Sequence, residues 1–264
     1  MTTPLFSTLL LALVQGVAEF LPISSSGHLT ILQHLMGIRE DNLLLTVVLH
    51  GGTLLSVLLF FRKRIWELFL SLLRLPFRYK EVKPEERSTL LGLVVVTAIT
   101  GAAGILFKDA IEQAFSSPAV SLGGLFFTGT LLLTTRFARE RDRIPPLAHY
   151  ILLGVAQSVA ILPGISRSGS TIAVALLLGW LGAKAAEFSF LASLPAVAGA
   201  LLLEITKVQA FSNPSLLLLG FLVSFFVGLA SIALLLRVLR KGSFPLFGFY
   251  CLSVALLGTL LFVF

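Results

Sequence analysis

One cysteine, Cys251, is all that this 264-residue chain contains. Disulfides are therefore excluded, and so are metal centres built on clustered thiolates. No Cys/His or His-Glu-X-X-His spacing for zinc is present either. Charge is scarce: Asp, Glu, Lys and Arg make up 12% of residues, against 56% hydrophobic. With a mean hydropathy of +0.98, a water-soluble domain is excluded. The first apolar run lacks a preceding basic segment, so no cleavable signal peptide is expected. The net charge of +7 does not point to nucleic acid. Its basic residues sit in short clusters between apolar runs, which is the pattern of a membrane topology signal.

What the chain does have is apolar sequence in lengths of about 20 residues, enough to cross a bilayer as helices. Six spans are expected at roughly 43–61, 90–107, 119–136, 186–204, 214–236 and 245–264. Two further segments, roughly 4–37 and 147–182, are interrupted by Pro, Ser and Gly. Such a break leaves backbone groups unpaired, so it must be buried in protein or line a wet cavity. Each is expected to be a re-entrant helix pair. The expected fold is a single all-α integral membrane domain over 1–264, with inverted-topology repeats at approximately 1–137 and 145–264.

Basic residues orient it. Arg62, Lys63, Arg64, Arg74, Arg78, Lys80, Lys83 and Arg87 lie in one connection, four arginines in 136–143, and Arg237, Arg240 and Lys241 in a third. The connections near Arg39–Asp41 and Lys108–Glu112 have no basic excess. Basic loops in the cytoplasm place both termini outside. The first re-entrant segment then enters from outside and the second from the cytoplasm. The stretch 62–88 is expected to carry an interfacial helix.

The two interruptions nearly repeat each other about 140 residues apart. One reads Glu19-Phe-Leu-Pro-Ile-Ser-Ser-Ser-Gly-His28, the other Ile161-Leu-Pro-Gly-Ile-Ser-Arg-Ser-Gly-Ser-Thr171, and Gly-Val-Ala precedes both, at Gly16–Ala18 and Gly154–Ala156. An internal repeat with a central site is the expectation. Glu19 and Arg167 are its sharpest signals, since a charge in mid-span costs roughly 2.5–3.5 kcal/mol unless it is paired or hydrated. Small-residue turns opening helices present N–H groups and hydroxyls to phosphate oxygens. Ser24, Ser25, Ser26 and Gly27 supply one such turn, and Ser166, Ser168, Gly169, Ser170 and Thr171 the other. Arg167 adds a planar, two-pronged donor. His28 is placed to act as general acid/base or nucleophile. His50, beside Gly51-Gly52, either lines the cavity or packs, and His34 and His149 are read as interfacial without a role. Gln15 and Gln157, one in each first arm, either bind phosphate or cross-link helices. A hard cation shared between Glu19 and substrate phosphates fits these oxygen donors.

These residues resemble the undecaprenyl-diphosphate phosphatases of the bacitracin-resistance type. The resemblance rests on Gln15-Gly-Val-Ala-Glu19-Phe-Leu-Pro-Ile-Ser-Ser-Ser-Gly-His28 and on Pro163-Gly-Ile-Ser-Arg167-Ser-Gly-Ser-Thr171. Ala186-Glu-Phe-Ser-Phe-Leu-Ala-Ser-Leu-Pro195 extends it over essentially the whole chain. It implies hydrolysis of undecaprenyl diphosphate to the monophosphate, recycling the lipid carrier for cell-wall synthesis and conferring bacitracin resistance. It also implies a divalent cation (Mg2+ or Ca2+), a bacterial inner-membrane location and a homodimer. By motif position, Ser25 is implied as nucleophile and His28 as its acid/base partner. Glu19 is implied as metal ligand or as the group orienting the histidine, and Arg167 as the residue that neutralises the phosphates. Gln15, Ser24, Ser26, Gly27, Ser166, Ser168, Gly169 and Thr171 complete the substrate site. Gln15 stands where many members have glutamate, which leaves one charged ligand fewer. The type-2 phosphatidic-acid phosphatases do not match, because no histidine follows Ser166-Arg167 at their short spacing.

The competing reading is a prenyl-phosphate flippase, because inverted repeats with broken helices are transporter architecture. A carrier needs Arg167 and the hydroxyls but not a Ser–His–Glu set. The acid/base and nucleophile residues all belong to the first segment, so the active site is expected to face the extracytoplasmic side.

Overall fold

The computed structural model describes residues 4–36, 43–141, 143–205 and 213–263, and these contain helices and no strand. The helices are α1 (Pro4–Ala18), α2 (Ser25–Leu35), α3 (Leu43–Phe60), α4 (Arg62–Arg74), α5 (Pro84–Leu106), α6 (Lys108–Phe115), α7 (Pro118–Thr134), α8 (Leu147–Val159), α9 (Arg167–Leu177), α10 (Gly182–Ile205), α11 (Pro214–Arg240) and α12 (Leu246–Val263). Proline at the first helical position sets φ for α5, α7 and α11 where its missing N–H costs nothing. Arg237 and Arg240 close α11 against the negative end of its dipole.

Four helices, α5, α7, α10 and α11, are long and apolar enough to span a membrane on their own. A fifth counts if α3 and α4, bent by 75° at Phe61, are taken together. α1, α8 and α12 are shorter apolar helices. The chain is therefore an all-helical, multi-pass membrane protein. The six expected spans correspond in position to α3, α5, α7, α10, α11 and α12; counted over the described residues alone, α3 and α12 fall short of the length of a full span. The connection at Lys108–Glu112 contains the start of the short helix α6. Arg39–Asp41 lies outside the described residues.

The bend puts α4 where the sequence expects an interfacial helix. Leu68 and Ser71 are buried on one face, while Trp66, Phe69, Leu72 and Leu73 are exposed. Contacts then gather the three basic segments at one end of the bundle. Arg64 Nε donates to Glu187 Oε1 at 2.9 Å, Arg141 N to Gly179 O at 2.7 Å, and a Cβ on Gly182 would meet Leu239 Cβ at 3.4 Å.

α11 packs on α3 and α1, α5 on α8, and α12 on α7, with α10 touching α3, α5 and α9. Small residues let these backbones approach, the usual solution where lipid supplies no hydrophobic drive between helices. At the α7–α12 crossing a Cβ on Gly129 would lie 2.8 Å from Gly248 O, and one on Gly248 2.7 Å from Gly129 O. A tighter constraint sits at Gly124 of α7, where a Cβ would lie 2.7–2.8 Å from the backbone of Gly164. Gly124→Ala is therefore expected to push α7 off the second interruption and destabilise the fold by about 1–3 kcal/mol. Thermal unfolding in detergent checks this; an unchanged Tm would show that the break has room to move.

Candidate functional site

The two interruptions are made by different local devices that reach the same result. After α1, the ladder persists for one turn, with Glu19 N bonding Gln15 O and Leu21 N bonding Val17 O, both at 3.0 Å. Pro22 offers no N–H to extend it. Ser24 then takes φ +67° and turns the chain, and its Oγ accepts from Gly27 N at 3.2 Å to start α2. In the second copy Gly164, at φ +84°, makes the turn, and Ser166 Oγ accepts from Gly169 N at 3.1 Å to start α9.

The breaks lock into each other. Gly164 N donates to Ser26 Oγ at 3.3 Å, and Ser168 Oγ donates to Leu21 O at 3.4 Å. Side chains would block this approach: a Cβ on Gly27 would lie 3.1 Å from Gly164 Cα, and one on Gly169 3.1 Å from Pro22 Cβ. Each break is also held from behind by the central helix pair. Thr128 of α7 donates to Gly164 O and accepts from Ser166 N, and Cys251 of α12 contacts Pro22 O at 3.5 Å. Backbone polar groups freed by the breaks thus find partners inside the protein.

That interlock brings the two charges together across 148 residues. Arg167 Nη2 donates to Glu19 Oε1, while Glu19 Oε2 accepts from Ser25 Oγ at 2.7 Å and from Gln15 Nε2 at 3.1 Å. Side-chain exposure is 9% for Glu19 and 17% for Arg167, so the pair is screened from bulk solvent yet open on one side. The open side is a cavity of about 210 Å3. Glu19, Ser24, Ser25, Ser26, Ser166 and Arg167 form its polar end, and Ala196, Val197, Ala200, Leu201, Ile161 and Phe115 an apolar wall. Two lining residues carry a buried atom without a partner among the described residues: Arg167 Nη1, a donor, and Gln157 Oε1, an acceptor. Buried groups of this kind ordinarily have a partner.

The histidines fall out differently from the sequence expectation. His28 Nδ1 meets Ser24 O at 2.9 Å and its Nε2 meets the Tyr250 hydroxyl at 2.9 Å, with the two rings stacked 7° from parallel. A carbonyl only accepts, so Nδ1 carries the proton and Nε2 accepts from Tyr250. His28 is not among the residues lining the cavity, whereas His50 is. His50 Nδ1 is held by Thr46 O at 2.9 Å and Nε2 stands 3.9 Å from Glu19 Oε2. In sequence, only its place beside Gly51-Gly52 in mid-span flagged it; nothing flagged Tyr250.

Of the other expected residues, Gly27, Ser168, Gly169 and Thr171 hold the breaks rather than face the cavity. Thr171 Oγ1 returns to Arg167 O at 2.8 Å and fixes the turn carrying the guanidinium. Gln157 donates to Thr100 Oγ1 at 3.2 Å and Ala192 O at 3.4 Å, cross-linking α8 to α5 and α10. His149 Nδ1 accepts from Trp180 Nε1 at 3.0 Å, and Tyr150, beside it, lies near the far end of α8. Among the described residues, no three of His, Cys, Asp or Glu gather as a metal cluster. The ligand atoms that do gather are oxygens, the Glu19 carboxylate and Ser25 Oγ. That set suits a hard cation that completes its shell with substrate phosphates and water.

Comparison with known proteins gives a consistent picture. The family model described as bacitracin resistance protein BacA matches residues 8–257. An undecaprenyl-diphosphatase of Desulfatibacillum aliphaticivorans is 41% identical over 260 residues, covering 92% of this chain and 93% of that protein. One from Syntrophotalea carbinolica is 42% identical over 250 residues, with 92% and 93% covered. One from Korarchaeum cryptofilum is 38% identical over 254 residues, with 94% and 95% covered.

Proposed function

The chain belongs to the bacitracin resistance protein family BacA, and on that premise we propose that it hydrolyses undecaprenyl diphosphate to undecaprenyl phosphate and inorganic phosphate. This returns the lipid carrier to cell-wall synthesis and confers bacitracin resistance. The observation that carries the proposal is the Glu19 carboxylate, bonded at once to the Ser25 hydroxyl and the Arg167 guanidinium in a cavity that has one polar end and one apolar wall. A carrier would need the arginine and the hydroxyls alone; a hydroxyl bonded to a carboxylate favours hydrolysis over transport.

In the first step Ser25 Oγ passes its proton to Glu19 and forms a bond to the terminal phosphorus. The bridging P–O bond breaks and undecaprenyl phosphate leaves. In the second step water attacks the phosphoserine, and both its hydrogens depart on the phosphate. Glu19 returns its proton to Ser25 as the P–Oγ bond breaks. Arg167, one arm on Glu19 and Nη1 unpartnered, offers a donor to charge developing on the transferred group. His50 Nε2 stands 3.9 Å from Glu19 Oε2 at the cavity wall, and His28 with Tyr250 steadies the first turn of α2. A divalent cation would withdraw charge from the diphosphate, and the Glu19 carboxylate would hold it.

The same proposal places the protein in the bacterial inner membrane as six spans and two re-entrant pairs, α1–α2 and α8–α9, arranged as inverted repeats. Support comes from packing partners that exchange under the pairing α1 with α8, α3 with α10, α5 with α11 and α7 with α12. Thus α1 on α11 mirrors α8 on α5, α3 on α11 mirrors α10 on α5, and α7 on α12 and α3 on α10 map onto themselves. Convergence of the basic segments at one end supports a cytoplasmic face there and an extracytoplasmic active site. A homodimer belongs to this reading by the family resemblance.

The test is phosphate release from a prenyl diphosphate by the purified protein, first in detergent and then in sealed vesicles of one orientation with substrate in a single leaflet. Release is expected only from the extracytoplasmic leaflet. No release in detergent would refute the activity, and release only from the cytoplasmic leaflet would refute the assigned side.

A further inference from the structure

A second cavity, of about 330 Å3, lies at the basic end of the bundle and shares no lining residue with the Glu19–Arg167 cavity. On α8 the two are separated by the helix itself: Tyr150 lines one and Gln157 the other, about 10 Å apart along the axis. Four cations, Arg64, Arg141, Arg143 and Lys184, line the basic cavity with two carboxylates, Glu85 and Glu187. Arg64 bonds Glu187 at 2.9 Å and Lys184 lies 3.9 Å from Glu85, so those charges offset in pairs. Arg141 and Arg143 have no carboxylate within ion-pair distance among the described residues. The lining is thus left with two positive charges on two guanidiniums. The positive-inside tendency accounts for arginines at this face, but not for two of them lining a walled hollow.

The wall is braced. Trp180 packs edge-on against Tyr150 and Phe188, with centroids 5.8 and 5.3 Å away. Its indole N–H is held by His149, and the Tyr150 hydroxyl meets Ser88 Oγ at 2.7 Å. Three helices, α5, α8 and α10, begin beside this hollow, and the first N–H of α10, at Gly182, is taken by Glu140 Oε1 at 2.9 Å. Planar guanidiniums lining the same hollow as the braced Trp180 and Tyr150 are suited to two-pronged recognition of phosphate oxygens. The volume holds roughly ten waters' worth of space, ample for one tetrahedral headgroup.

We infer that the cavity lined by Arg141, Arg143 and Trp180 is a second anion site, separate from the reaction centre, that binds a phosphate dianion at the basic face. The two guanidiniums without a carboxylate partner among the described residues match its charge. The anion is either a lipid phosphomonoester entering from the adjacent leaflet or free inorganic phosphate, and the two sources share this chemistry.

Binding is measured without turnover, so the result does not depend on the proposed reaction. The background is Glu19→Gln with Arg167→Ala, which removes both charges of the first cavity together. Radiolabelled farnesyl monophosphate and inorganic phosphate are titrated separately into the protein in uncharged detergent. About one saturable equivalent is expected, and Arg141→Gln with Arg143→Gln should weaken it at least tenfold while the unfolding temperature stays unchanged. Farnesyl phosphate binding at least tenfold tighter than phosphate assigns the site to a lipid headgroup; equal affinities assign it to the free anion. Absence of saturable binding by either probe, or binding untouched by the arginine substitutions, would overturn the inference.

Discussion

Arg167→Ala is expected to lower kcat/KM for prenyl diphosphate hydrolysis by about 10²–10³-fold, the range seen when one donor to developing charge is removed. Arg167→Lys should still lose at least tenfold. Lysine restores a point charge but cannot hold Glu19 with one arm and present a second donor, as Nη2 and Nη1 do here. The alanine variant has a second consequence, because it strands a carboxylate that is only 9% exposed. Breaking a buried pair from one side typically costs about 3–5 kcal/mol, so its Tm should fall. Adding Glu19→Gln should restore most of that stability without restoring activity. This double variant separates the two roles of Arg167. Recovery of turnover along with stability would mean that the arginine acts only by supporting the fold.

Ser25→Ala is expected to reduce phosphate release at least about a thousandfold, as removal of a covalent nucleophile does. Its stability should change little, since Glu19 keeps Arg167 and Gln15 as partners. Acid quenching during turnover of a substrate labelled in the terminal phosphate should trap label on the unaltered chain and none on the variant. Retention of more than a tenth of the activity by Ser25→Ala would remove the serine from the reaction. Direct attack by water, with Glu19 as base, would then be the remaining course.

The clearest gap between sequence and structure is at the histidines. His28 and Ser25 stand three residues apart in the same motif, which invites pairing them. In the structure Glu19 Oε2 takes the Ser25 hydroxyl, while His28 is satisfied by Ser24 O and Tyr250. The imidazole that lines the cavity, His50, comes from α3, outside both motifs. Linear proximity placed both groups on one helix turn but said nothing about which way each ring points. Similarly, Thr171, Ser168 and Gly169 look like phosphate ligands in a string of small polar residues. Folded, their hydroxyls and open space serve the contact between the two breaks.

What the sequence determined on its own follows from local and compositional physics. Apolar length and scarcity of charge settle a multi-pass helical membrane protein, and proline with small polar residues inside such runs marks where helices must stop. Two charges that hydrocarbon would not tolerate unpaired marked Glu19 and Arg167 as site residues before any fold was known. An interfacial helix was likewise expected within 62–88, where α4 lies. The tertiary structure alone decided which atoms meet. Whether a break faces its twin depends on Gly27, Gly164 and Gly169 allowing backbones within van der Waals contact, and on Thr128 and Cys251 holding each turn from another helix. The second, basic cavity is of the same kind. Arg64, Arg141, Arg143 and Lys184 belong to three separate stretches of chain. Their convergence on Trp180 depends on long-range packing of α5, α8 and α10, which leaves no periodic or local trace in the order of residues.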